Sequence, residues 1–136
     1  MCGAVSYTVT TPIKDAGACH CGMCRKWSGG VFMSVAVPGD GLEITGKDHL
    51  ATYTSSPWAE RAFCKACGSN LFYRVTAEGP YQGNIHLGFG TLDDVSGIPF
   101  TGELYIDLKP GAYSFAGEGR RQMTEAQVIE MFFGGV

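Results

Sequence analysis

Five of the six cysteines of this chain fall in two tight groups, Cys19-His20-Cys21-Gly22-Met23-Cys24 and Cys64-Lys65-Ala66-Cys67-Gly68, and the sixth, Cys2, stands near the N-terminus. Disulfide bonding is a poor account of this spacing, because side chains one residue apart rarely meet the Cα separation and dihedral that a cystine requires. Thiolates at about 2.3 Å from a shared ion, by contrast, can converge from adjacent backbone positions. The spacing predicts zinc ligation, and with it a fold whose turns aim sulfurs at common points.

Cys64-x-x-Cys67-Gly68 has the chemistry of a zinc knuckle. Two thiolates three residues apart grip one side of the ion, and the glycine lets the chain turn so that backbone N–H groups face sulfur. A redox pair would call for a βαβ setting, which the sequence pattern does not offer. Cys19-x-Cys21-x-x-Cys24 is the rarer signal: three thiolates from one segment can fill three tetrahedral corners and leave the fourth free, as a catalytic zinc requires. Spacing also leaves open a closed zinc ribbon of Cys21, Cys24, Cys64 and Cys67, with Cys19 spare.

At 136 residues, 45% hydrophobic and 17% charged, the chain is long enough to bury a continuous core and reads as one domain over 1–136. No stretch approaches the roughly 18 uninterrupted apolar residues of a membrane span. The opening Met1-Cys2-Gly3-Ala4-Val5-Ser6-Tyr7 carries neither a basic leader nor a long apolar segment. A cytoplasmic, reducing setting is therefore expected, in which thiols stay available to metal. A net charge of −3 removes the electrostatic footing of a nucleic-acid binder. Arg25-Lys26 and Arg120-Arg121 read as solvated surface pairs.

Most segments have the character of strands. Val5-Ser6-Tyr7-Thr8-Val9, Val31 through Val37, Leu71-Phe72-Tyr73-Arg74-Val75 and Asn84 through Phe89 are rich in β-branched and aromatic residues. Turn signals such as Pro38-Gly39-Asp40-Gly41, Glu78-Gly79-Pro80 and Lys109-Pro110-Gly111 separate them. Helix is scarce. Thr124 and Gln127 form a capping box ahead of Val128, Ile129, Met131 and Phe132, and Gly134-Gly135 ends that helix. A turn of helix is also expected after Cys24.

Taken in order, Cys2-Gly3-Ala4-Val5-Ser6-Tyr7, Cys19-His20-Cys21-Gly22-Met23-Cys24-Arg25-Lys26, Phe63-Cys64-Lys65-Ala66-Cys67-Gly68-Ser69, Gly88-Phe89-Gly90-Thr91-Leu92-Asp93-Asp94 and Glu103 through Pro110 closely resemble the glutathione-dependent formaldehyde-activating family. The resemblance implies a mostly β fold, Mss4-like, with antiparallel sheets, zinc knuckles and two Zn²⁺ positions. Carried over by position, Cys2, Cys64 and Cys67 would be structural ligands, and Cys19, Cys21 and Cys24 active-site ligands. The family pattern sets one more cysteine two residues before Cys2, a position this chain lacks. A longer gene start, or water or another non-cysteine group, would complete that sphere; failing both, the site would bind zinc weakly.

The implied activity is addition of the glutathione sulfur to formaldehyde, or the reverse cleavage, which makes the expected function a zinc-dependent carbon–sulfur lyase acting on a small thiol adduct. A non-catalytic zinc module that binds another protein is the alternative. His20, between two proposed ligands, is expected to point away from the metal, because alternate residues of an extended segment face opposite ways. His49 and His86 have no motif context. Trp27, Phe32 and Phe72 read as packing groups and Asp93-Asp94 as a turn. Arg25 and Lys26 could also meet glutathione carboxylates.

Overall fold

Short apolar runs broken by turn residues can hide themselves only by pairing edge to edge, and this chain does so throughout. The computed structural model describes residues 1–134. Its elements are β1 (Ser6–Val9), β2 (Ala16–Cys19), α1 (Gly22–Ser28), β3 (Phe32–Val37), β4 (Leu42–Thr45), β5 (Leu50–Ser56), β6 (Ala59–Cys64), β7 (Asn70–Val75), β8 (Ile85–Gly88), β9 (Phe100–Leu104), β10 (Arg121–Met123) and α2 (Glu125–Phe133). The four strands read from sequence are β1, β3, β7 and β8, each within a residue or two of its expected bounds.

The large sheet runs in the order β10-β9-β2-β3-β8-β7-β6-β5, and β1 pairs with β4 in a separate ribbon. Pairing is antiparallel from β2 to β5 along that order. It becomes parallel where β9 joins β2 and β10 joins β9. Parallel neighbours need long crossovers, and the connections from β2 to β9 and from β9 to β10 are long.

Register divides the sheet into two faces with different chemistry. Ala16 pairs with Val35, Val35 with Leu87, Leu87 with Phe72, and Phe72 with Ala62. Directly paired residues share a face, so these five form one apolar row of the main core. The ribbon closes over it with Tyr7, Val9, Leu42 and Ile44, the inward half of two alternating strands. One residue along, the pairs Arg61 with Tyr73, Tyr73 with His86 and His86 with Ala36 point to the opposite face. That second face carries Cys19 and Phe32, also a direct pair, and α1 lies over it.

Helix α2 begins as its sequence dictates. Thr124 accepts the Gln127 N–H, and the Gln127 side chain accepts the Thr124 N–H at 2.8 Å, closing the capping box. Val128 is buried, while Phe132 stacks edge-on against Tyr81 and Phe133 against Trp58. Gly134 returns its N–H to the Glu130 carbonyl. Gly135 lies outside the described residues.

Where β2, β9 and β10 meet, a polar network crosses the sheet. Glu103, only 2% exposed, receives His20 Nε2 at 2.9 Å on one oxygen, and Arg120 Nε at 3.1 Å and Gln122 Nε2 at 3.0 Å on the other. Arg120 is therefore not the solvated surface group expected of the Arg120-Arg121 pair. Its guanidinium also caps the Phe115 and Ala116 carbonyls and lies 4.9 Å from the Phe100 ring, while Arg121 stays exposed.

Two outcomes follow for stability. Burial pushes the Glu103 carboxyl up, but hydrogen bonds from Gln122, His20 and Arg120 outweigh it and leave the group below its ordinary value. Its contribution is thus complete above about pH 4.3, the ordinary glutamate value, and lost as pH falls through the lower folded value. Glu103→Ala should cost about 3 kcal/mol at pH 7 by denaturant unfolding, with the gap to wild type closing in more acid solution. Gly46, which follows β4, has a left-handed φ of 84°, and a Cβ there would sit 1.9 Å from the Ala4 carbonyl oxygen. Gly46→Ala should cost at least about 1–2 kcal/mol in the same measurement.

Candidate metal centre

Two helix-and-turn devices bring the sulfurs together. Cys21 stands at the N-cap of α1, in extended conformation, and its sulfur accepts the Cys24 N–H at 3.3 Å. Cys24 then lies one turn into the helix, buried on its inner side, and Cys19 ends β2 directly before. The helix expected after Cys24 in fact starts at Gly22, so that Cys24 is part of it. Sulfurs of Cys19, Cys21 and Cys24 lie within 4.8 Å of one another, with Cys19 and Cys24 buried and Cys21 half-buried.

The second cluster joins distant parts of the chain. Cys64 ends β6, and Gly68, at φ 79°, turns the backbone so that its N–H meets the Cys64 carbonyl at 2.7 Å. Cys2 completes the group from the N-terminal segment, its sulfur 3.8 Å from that of Cys64. Two ligands at about 2.3 Å from a tetrahedral ion are about 3.8 Å apart, so this pair has the separation that zinc would impose. Among the described residues no fourth cysteine, histidine or carboxylate joins Cys2, Cys64 and Cys67. Ser69 Oγ lies 3.2 Å from the Cys67 sulfur, and its hydroxyl and backbone N–H bring that thiol down to about 5. All six cysteines are free thiols.

A ribbon built from Cys21, Cys24, Cys64 and Cys67 is not formed, because those four sulfurs are split between the two clusters. Each cluster offers three converging sulfurs and no competing disulfide, a donor set suited to a soft or borderline divalent ion. Both could hold a metal ion.

The surroundings of the trio are largely aromatic. Trp27 and Phe32 meet edge-on at 5.2 Å, Phe32 tilts against Tyr73 at 5.8 Å, and Tyr73 stacks on His86 at 4.3 Å. Burial, and then the charges of Cys19 and Cys24, raise Tyr73 well above its ordinary value; burial alone lowers His86 to about 4. Into this shell projects Arg61, 5% exposed, with Nη1 and Nη2 each 3.7 Å from the Cys24 sulfur. Its guanidinium sits 5.0 Å from the Trp27 ring and 5.3 Å from the Tyr73 ring.

Protons are unevenly shared within the trio. Hydrogen bonds from the Cys19 and Cys24 thiols, helped by the Cys24 N–H and by Arg61, bring Cys21 down to about 2. Cys19 is driven up by giving its proton toward Cys21 and Cys24. The Cys19 bond lowers Cys24, but the bond to Cys21, burial and the Cys21 charge carry it up to about 11. Cys21 is thus the most readily ionised of the three, and a divalent ion held there would displace the protons of its neighbours.

His20 points away from the trio, as its alternate position predicts, and is buried against Glu103 with Tyr113 Oη 3.4 Å from Nδ1. His49 is exposed and His86 lines the aromatic shell. Arg25 and Lys26 occupy the exposed last turn of α1. Phe72 belongs to the main core, and Asp94 accepts the Ser96 N–H at 2.9 Å in a turn. Sequence reasoning missed Arg61, Tyr73 and Tyr105. Tyr105 packs against the trio and is the one non-glycine residue with positive φ among the described residues, at 58°. Strain of that kind collects at functional sites. Nothing in the segment Ala59-Glu60-Arg61-Ala62-Phe63-Cys64 singled out Arg61, because both faces of this strand are buried.

Among the described residues no helix is long and apolar enough to cross a membrane. The model of a family described as glutathione-dependent formaldehyde-activating enzyme matches residues 1–107. An uncharacterized lyase of Schizosaccharomyces pombe is 31% identical over 119 residues, covering 87% of this chain and 83% of that protein. A Podospora anserina protein provisionally named a glutathione-dependent formaldehyde-activating enzyme is 38% identical over 81 residues, which are 58% of this chain but only 38% of that longer protein. The crystal structure of a Rhodobacter sphaeroides protein shares the fold, with a TM-score of 0.55 at 21% identity over 74% of this chain and 94% of the other. With its cysteine segments in order and most of its length matched by the family model, this chain belongs to the glutathione-dependent formaldehyde-activating enzyme family.

Proposed function

We propose that this protein is a zinc-dependent carbon–sulfur lyase that makes or breaks an S-hydroxymethyl-type adduct of glutathione or a similar small thiol. The observation that carries this reading is the trio: three sulfurs, from Cys19, Cys21 and Cys24, converge on one point with Cys21 on the open side. A zinc ion held there would supply an electrophilic position for a soft sulfur donor and keep that donor as thiolate at neutral pH.

The remaining work falls to the chain. In the forward direction the thiolate sulfur attacks the carbonyl carbon of formaldehyde, a C–S bond forms, and the carbonyl oxygen takes up a proton. In reverse the hydroxyl gives up that proton, the C–S bond breaks, and its electron pair returns to sulfur. Trp27, Phe32 and Tyr73 close the inner side of the trio against water, so charge on sulfur acts in a poorly screened setting. Tyr105, pushed up to about 12 by burial and then by the Cys21 charge, stays protonated and can donate a hydrogen bond at the rim. An open groove of about 360 Å³, lined by Ser28, Phe32, Met33, Asn70 and Phe89 among others, shares Phe32 with the site and suits the organic part of the thiol.

Metal stoichiometry tests the reading. Wild-type protein should hold about two zinc or cobalt ions per chain, and glutathione should alter the cobalt spectrum. Cys21→Ser should remove about one of those ions together with the glutathione response. Unchanged metal content and thiol binding in that variant would sink the active-site assignment. One tightly held ion with no thiol response would instead favour a non-catalytic zinc module. Activity is read as glutathione-dependent exchange of formaldehyde with its adduct by NMR, which Cys21→Ser should abolish.

A further inference from the structure

Arg61 is the one arginine of the chain buried without a carboxylate among the described residues. Arg74 pairs with Glu60 and Arg120 with Glu103, while Arg25 and Arg121 are exposed. A guanidinium withdrawn from water needs a compensating charge or a full set of acceptors. Arg61 meets two aromatic faces and one sulfur, with both terminal nitrogens turned to Cys24. Stacking on Trp27 and Tyr73 fixes the plane of the fork and contributes cation–π attraction, but it leaves the charge unmatched. Among the described residues, the groups at its fork that can take up negative charge are the sulfurs of the trio.

We propose that Arg61 is the built-in countercharge of the Cys19, Cys21 and Cys24 trio and sets the preference of that site for a negatively charged fourth donor. The inference rests on the reading of the trio as a metal site. A divalent ion held by three thiolates would leave one net negative charge, which would repel an incoming anion and favour a neutral donor. Arg61 cancels that charge from the inner side, where aromatic walls limit screening, and leaves the Cys21 side open. Arg61 is thus a positioning residue: it touches a ligand sulfur and acts through it. Cross-strand register holds it there, since Arg61 is paired directly with Tyr73 and cannot leave the face without breaking that row.

The test uses cobalt-substituted full-length protein titrated with azide, an anion, and with imidazole, a neutral donor. Arg61→Met should bind azide at least about tenfold more weakly, because the repulsion between the anion and the net negative trio, which Arg61 offsets, acts in a poorly screened site. Imidazole affinity should not change, and the sulfur-to-cobalt charge-transfer band should move to lower energy as Cys24 loses its cationic neighbour. Arg61→Lys should keep the azide preference. Should Arg61→Met not fold, Arg61→Gln is read in its place. The proposal is overturned if both affinities stay as in wild type, if both fall together, or if Arg61→Lys behaves as the neutral variants do. Failure of the trio to take cobalt overturns it as well. A protein that holds cobalt and shows the azide effect, yet ignores glutathione, would overturn the lyase reading and leave this one standing.

Discussion

Three sulfurs within 4.8 Å of one another repel as soon as they ionise, and the organisation of this protein depends on how that repulsion is offset. Hydrogen bonds among the three offset it in part, lowering Cys21 while Cys19 and Cys24 are raised. The Cys24 N–H and the Arg61 guanidinium offset more, one from the first turn of α1 and one from the middle of β6. These two groups come from segments far apart in the chain. Only a sheet that lays α1 over the face carrying Arg61 can bring them to one sulfur cluster.

The sheet achieves this by separating its two faces. One face is an uninterrupted apolar row from Ala16 to Ala62, closed by the β1–β4 ribbon, and it supplies the burial on which the fold rests. The other face is built from aromatic, basic and sulfur groups that would be costly in a purely apolar layer. Because side chains alternate along every strand, the two faces are shifted by a single residue, and a register slip would exchange them. Accuracy of pairing in β6, β7 and β8 is therefore a condition for the site as well as for the core.

Two further anchors keep the trio in place without touching its sulfurs. His20, between two of the cysteines, is tied through Glu103 to Arg120 and Gln122, so β2, β9 and β10 act as one support beneath the cluster. The Cys64–Cys67 knuckle, with Cys2, joins the end of β6 to the N-terminal segment. A metal held there would fasten the strand that carries Arg61, linking the second cluster to the first through β6.

Much of this was legible in the residues themselves. Cysteine spacing marked the thiols as metal ligands, because ligand convergence is a local property of short segments, but it left two groupings open. β-Branched and aromatic composition gave β1, β3, β7 and β8, and Thr124 with Gln127 gave α2, since capping and strand character are set within a few residues. The outward turn of His20 followed from its alternate position beside Cys19. Tertiary structure alone decided that Cys21 and Cys24 belong with Cys19 and not with Cys64 and Cys67. It also decided that Arg120 is half-buried against Glu103 while Arg121 is exposed, and that Arg61, Tyr73 and His86 stand side by side. Those facts depend on which strands become neighbours and in what register, and such long-range pairing is fixed by the packing of the whole sheet, not by any segment read alone.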